Sequence, residues 1–135
     1  MDELKARQEY ETRNHTHVLY PREFPFSVTH ISGHVKNDLL KLTYKNAYSH
    51  GLMEITVAPG NGELGSIKED KDQFYILNNG SEALYKPLSS HQDQLIFQHK
   101  DLMYSIAITP TPKQPVTVDD LLKIANSMNR LDVRF

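Results

Sequence analysis

Cysteine is absent from the 135-residue chain. That removes disulfides, thiolate nucleophiles and cysteine-ligated zinc together. Long apolar runs are absent too, since no stretch approaches the roughly 18 residues that a membrane-spanning helix needs. An excess of one charge is also missing: fifteen Lys and Arg face seventeen Asp and Glu, for a net charge of -2. The broad basic field of a general nucleic-acid binder is thereby excluded, and no nucleic-acid partner is expected. Met1 to Asn14 lacks the apolar stretch of a signal peptide. The expectation is a soluble chain, either cytoplasmic or the soluble part of a longer protein whose anchor lies elsewhere. Apolar residues make up 39% of the chain and charged residues 24%, enough to build one core.

Residues 1–17 read as a polar segment or weak helix, and residues 18–135 as one α+β domain. Leu4, Ala6 and Tyr10 form a stripe among charges that is too thin to dock strongly. Pro21 and Pro25 keep the next segment extended. Period-two alternation predicts strands over Phe26 to Ser32, Leu39 to Lys45 and Leu52 to Ala58. It places Leu40, Leu42 and Tyr44 on one face, and Met53, Ile55 and Val57 on one face of the next strand. Loops are expected from Pro59 to Asp72 and from Pro110 to Pro115.

Two hairpins can be read in register. Asn79-Gly80 predicts a two-residue type I′ turn. This sets Phe74 opposite Tyr85 and Ile76 opposite Ala83, with Tyr75 meeting Leu84 on the other face. A turn at Lys100-Asp101 sets Phe97 opposite Tyr104 and Leu95 opposite Ile106. Gln94, Gln98, Met103 and Ser105 then share a wetter face. The chain closes with a helix capped by Thr117, with Asp119 and Asp120 at its positive end. Val118, Leu121, Leu122, Ala125 and Met128 form its apolar stripe, widened by Ile124 and Leu131. The expected fold is an antiparallel sheet of about six to seven strands in consecutive hairpins, packed by this C-terminal helix.

Few constellations point to chemistry. Gly60, Gly62 and Gly65 spell G-x-G-x-x-G, but no apolar helical face follows, so a surface loop is the better reading and no cofactor is expected. His15 with His17, and His30 with His34, are pairs that share a face on extended backbone. No third-ligand motif joins them, and no metal site is assigned. Ser89, Ser90 and His91 are adjacent in sequence, which does not orient a base, so no catalytic residue is assigned. Asp93 and Asp101 flank a strand and a turn. Tyr44, Tyr75, Tyr85 and Tyr104 fall in apolar alternation and read as core before they read as a ligand-binding row. Asn14-His15-Thr16 and Asn79-Gly80-Ser81 fit glycosylation sequons, which would carry no meaning if the protein were bacterial, and the turn already explains the second.

One resemblance covers about residues 18–131. Gly80, Ala83 and Tyr85 in the hairpin, Leu95, Ile96 and Phe97 in the next strand, and Tyr104 with Ile106 in the returning strand form a consecutive pattern. Leu121, Leu122, Ile124, Ala125, Ser127 and Met128 continue it in the closing helix, and Pro21, Pro25 and Val28 precede it. The pattern resembles a bacterial domain-of-unknown-function family. That family forms the extracytoplasmic C-terminal domain of membrane-anchored, anti-sigma-factor-like proteins and lipoproteins of Bacillus-type organisms. Two positions depart from it: Phe97 stands where tryptophan is common, and Asp101 where glycine is. The resemblance implies a non-enzymatic sensory or binding domain outside the bacterial membrane, held there by an anchor absent from this chain. Its partner would be a protein or a cell-envelope ligand. Asn61 and Glu63 in the 59–72 loop, and Gln94, Gln98 and Met103 on the wetter face, are the candidate contact residues. The alternatives are a small hydrolase or transferase using His91 with Ser89 or Ser90, or a structural spacer.

Overall fold

The computed structural model describes residues 2–60, 64–89, 92–111 and 115–130. Alternation of apolar and polar residues builds its central strands. Strand β3 (Leu39–Lys45) and strand β4 (Leu52–Pro59) bury Leu40, Leu42, Tyr44, Met53, Ile55 and Val57 on one face, as expected. The preceding strand, β2 (His30–Lys36), begins four residues later than Phe26. Phe26 and Val28 pack against the core without joining the sheet. Pairing starts only where the Thr29 N–H reaches the Lys45 carbonyl at 2.8 Å.

Four further strands follow: β5 (Gln73–Ile76), β6 (Glu82–Ser89), β7 (Gln92–His99) and β8 (Leu102–Thr109). The seven strands form one antiparallel sheet in the order β2-β3-β4-β8-β7-β6-β5. Together with the C-terminal helix they make the expected α+β fold. One link is not a hairpin. Strands β4 and β5 are not neighbours, because β8 returns to pair with β4, Ile55 opposite Ile106. The chain therefore forms two meanders joined at β4 and β8, and β5 is left at the outer edge.

The Lys100-Asp101 turn has the expected register, with Phe97 opposite Tyr104 and Leu95 opposite Ile106. Both turn residues are left-handed, at φ 48° and 64°, as a type I′ turn requires. The rings of Phe97 and Tyr104 stack with centroids 5.0 Å apart.

The other hairpin corrects the expected register by one residue. Phe74 faces Leu84, Tyr75 faces Ala83 and Ile76 faces Glu82. The loop has three residues, with Leu77 N–H donating to the Ser81 carbonyl at 2.8 Å. Only Gly80 in this loop is left-handed, at φ 89°. That loop satisfies the glycine without forcing Asn79 to positive φ, and Asn78 N–H is held by Asn126 Oδ1 at 2.8 Å. Both faces of β5 are apolar, so side-chain parity imposed no penalty on the slip.

Two helices cover one face of the sheet. Helix α2 (Val118–Ser127) packs on β7 and β8. Thr117 and Asp120 close a reciprocal capping box at its start. Leu121, Ile124, Ala125 and Met128 are buried, while Leu122 is only half-buried. Leu131 lies outside the described residues.

Helix α1 (Glu3–Asn14) docks on β2 and β3, against the expectation from its thin stripe. Ala6 and Tyr10 are fully buried. The reason lies in β2. A Cβ on Gly33 would come within 2.6 Å of the Ala6 Cβ and 3.1 Å of the Glu3 Cα. The missing side chain opens a notch in which helix and sheet approach closely. Tyr10 then reaches the turn between β2 and β3 and donates from its hydroxyl to the Asp38 carbonyl at 2.8 Å. A two-stranded ribbon, β1 (Leu19–Tyr20) with β9 (Asn129–Arg130), closes the same side. Leu19 N–H donates to the buried Tyr104 hydroxyl at 3.0 Å.

Candidate functional site

Because side chains alternate, each strand also presents a second row away from the helices. Gln94, Ile96 and Gln98 on β7, Met103 and Ser105 on β8, and Thr56 and Ala58 on β4 compose the middle of this open face. All of them are half-buried. Gln98 and Met103 are direct cross-strand partners, and Met103 is also paired with Ala58. Gln94 lies four residues along β7, between Ala107 and Lys86. The structure thus brings Gln98 and Met103 together and sets Gln94 further down the same face.

The open face has a polar half and an apolar half. At the polar end Lys41 pairs with Glu54 at 2.8 Å. Gln92 donates from Nε2 to Glu54 Oε1 at 3.2 Å and to Thr109 Oγ1 at 2.9 Å. Burial alone would raise the Glu54 pKa, but hydrogen bonds from Lys41 and Gln92 outweigh it and hold the carboxyl below its ordinary value. The apolar half carries Leu84, Ile96, Phe74 and Ile76 toward β5. Leu84 is fully buried although it points away from the helices.

The segment after β4 is pinned over this half. Gly60 abuts Met103, where an added Cβ would stand 3.5 Å from the Met103 Cβ. A short 3-10 turn at Leu64–Ile67 buries Leu64. Asp72 then pairs with Lys86 of β6, and Glu69 lies 3.5 Å from the same ammonium. The hydrogen bond from Lys86 is the main cause that lowers the Asp72 pKa, and the same bond raises that of Lys86. Asn61 and Glu63, the loop contacts expected from sequence, lie outside the described residues.

A second polar cluster, which sequence reasoning missed, sits beneath α1. The Tyr44 hydroxyl donates to Glu3 Oε2 at 3.2 Å. The Arg7 guanidinium stacks over the Tyr20 ring, 5.3 Å from its centroid, and Arg7 is only 4% exposed. Burial, more than the opposing Tyr44 hydrogen bond and Arg7 charge, raises the Glu3 pKa. Burial likewise raises Tyr20 and Tyr44. Glu3 and Arg7 stand four apart on the face that also carries Tyr10. That spacing was the available signal, and it was masked by the general polarity of the segment. The cluster clamps the helix to the sheet.

The remaining candidates separate. Tyr44 and Tyr104 are core. Tyr75 and Tyr85 pack edge to face at 6.2 Å, and the Tyr85 hydroxyl donates to Asp93 Oδ2 at 3.1 Å. Burial, ahead of the Asp93 charge, pushes the Tyr85 pKa up to about 12. His30 and His34 do share a face of β2, in unbroken register with β3. Four residues of strand separate them by roughly 13 Å, too far for one ion. No group of three potential metal ligands occurs among the described residues. Ser90 and His91 fall outside the described residues. Gly65 lies within the 3-10 turn and Gly60 precedes it just after β4, and the next described element is strand β5, not an α-helix that could receive a pyrophosphate. No helix among the described residues is long and apolar enough to cross a membrane. Comparison with known protein families, with curated proteins and with solved structures finds no match.

Proposed function

We propose that the chain is a non-enzymatic binding domain that receives a partner polypeptide on the open face of its sheet. The observation that carries this reading is the asymmetry of the sheet. One face is sealed by α1 and α2, whereas the other presents a half-buried strip of Gln98, Met103, Ile96 and Ser105 beside apolar Phe74 and Ile76. Amide groups beside a methionine and aliphatic side chains suit a peptide, which offers backbone donors and acceptors together with apolar side chains. Placement at the extracytoplasmic face of a bacterial membrane rests on the family resemblance alone.

Selection of displayed random peptides against the purified protein tests the reading. Enriched clones should bind the wild-type domain and lose binding to Gln94→Lys, Gln98→Lys and Met103→Lys combined. The variant's thermal melt serves as a folding control. Binders that map to the helix-covered side, or the absence of any enriched clone, would overturn it.

A further inference from the structure

The outer edge of β5 carries the least guarded surface of the sheet. No described element pairs with it. Edge strands in folded proteins are normally blunted by lysine, proline or a bulge. The β5 sequence Gln-Phe-Tyr-Ile has none of these, and among the described residues its brevity is its only protection. Two of its four side chains are exposed apolar groups: Ile76 is 67% exposed and Phe74 38%. We propose that this edge pairs with the same edge of a second copy, giving a two-fold dimer with one continuous sheet.

The register follows from the backbone. Leu77 N–H points toward β6, where it meets the Ser81 carbonyl. Hydrogen-bonding direction alternates along a strand, so Tyr75 and Gln73 also face β6, and Phe74 and Ile76 turn their N–H and C=O groups outward. A two-fold axis perpendicular to the sheet keeps each face in common. Centred on Tyr75, it sets Phe74 opposite Ile76 of the second copy, twice. These outward groups are then hydrogen-bonded pairs, contributing about four inter-chain backbone bonds. The two exposed apolar side chains cover each other on the open face, and the two Tyr75 rings meet on the helix-covered face.

Flanking residues fit the same axis. Asp72 and Lys71 come opposite Asn78 and Asn79 of the second copy, so no like charges meet across it. Pairing β5 with the far edge β2 is less suitable. There the open-face row is His30, Ser32, His34 and Lys36, which offers Phe74 and Ile76 no apolar cover. It would also leave free edges that continue into a filament instead of a closed pair. A four-residue strand buries far less than the roughly 800 Å² per partner of a standard interface, so the dimer is concentration-dependent.

Sedimentation velocity from about 10 μM to about 1 mM reads the equilibrium directly. The wild type should shift from monomer toward dimer over this range. Ile76→Lys, at an exposed position, should weaken association by at least about tenfold while keeping the wild-type melt. The absence of native cysteine permits a second test. Tyr75→Cys places two thiols at the axis, in a non-hydrogen-bonded pair with Cα atoms about 4.5 Å apart, within disulfide reach. This variant should cross-link under mild oxidation much faster than Tyr48→Cys, whose site is exposed and remote. Equal cross-linking rates, a monomer at every concentration, or faster cross-linking through Ser32→Cys on β2 would each overturn the proposal.

Discussion

Replacing Gly33 by alanine should undo the docking of α1. The new Cβ would stand 2.6 Å from the Ala6 Cβ, 3.1 Å from the Glu3 Cα and 3.3 Å from Leu42 Cδ2. Ordinary carbon contacts begin near 3.5 Å, so helix and sheet must part by about 1 Å. Overpacking of this kind costs about 1–3 kcal/mol. A second route gives a similar size. If the helix undocks instead, Tyr10 loses full burial, worth about 2 kcal/mol, and its hydrogen bond to Asp38, worth about 1 kcal/mol. Ala6→Gly alone should cost about 1 kcal/mol through helix propensity. Combined with Gly33→Ala it removes the tightest of the three contacts, so the double variant should be about 1–2 kcal/mol more stable than the sum of the singles predicts. Urea unfolding followed by circular dichroism measures all three, and hydrogen exchange of the α1 amides shows whether the helix lifts. A Gly33→Ala cost below about 0.5 kcal/mol, or strict additivity, would refute the notch as the cause of docking.

Other outcomes follow from the turns, the core helix and the half-buried Glu3 carboxyl. Lys100→Asn with Asp101→Gly places the preferred residues at two left-handed positions and should raise stability by about 1 kcal/mol, seen as a higher melting temperature. Gly80→Ala should lower it by about 1 kcal/mol, because nothing stands within 4 Å of the new Cβ and the penalty is conformational alone. Leu121→Ala should cost about 2–5 kcal/mol in chemical denaturation, and Leu122→Ala clearly less, since only Leu121 is fully buried. Burial raises the Glu3 pKa above its ordinary 4.5, so the folded chain holds that proton more tightly than the unfolded chain. Its contribution therefore favours folding fully below about pH 4.5 and is lost as pH rises through the folded value. Glu3→Gln should remove that part of the pH dependence, with the difference between variant and wild type widening from pH 4 to pH 7 in urea midpoints.

Much of this architecture was legible one element at a time. Strand β3 was read with its observed bounds and β4 to within one residue, because one face is buried and the other is not, which fixes parity. The Lys100-Asp101 register was legible because apolar residues match across it in only one way. The Asn79-Gly80 hairpin was not, because β5 is apolar on both faces and a one-residue slip costs nothing locally. For the candidate site, Gln94, Gln98 and Met103 were correctly placed on one face, but their distance from one another depended on pairing.

Sequence alone determined the local elements: period-two strands, the Thr117 cap, and a left-handed glycine at position 80. These follow from interactions a few residues long. Tertiary structure decided what pairs with what. It set β8 beside β4, leaving β5 at the edge of the sheet with no further strand against it among the described residues, and it docked a polar helix through a glycine whose value is the space it leaves. Neither fact is local. Each depends on surfaces that meet only after residues distant in the chain have packed, and no short pattern of side chains encodes that meeting.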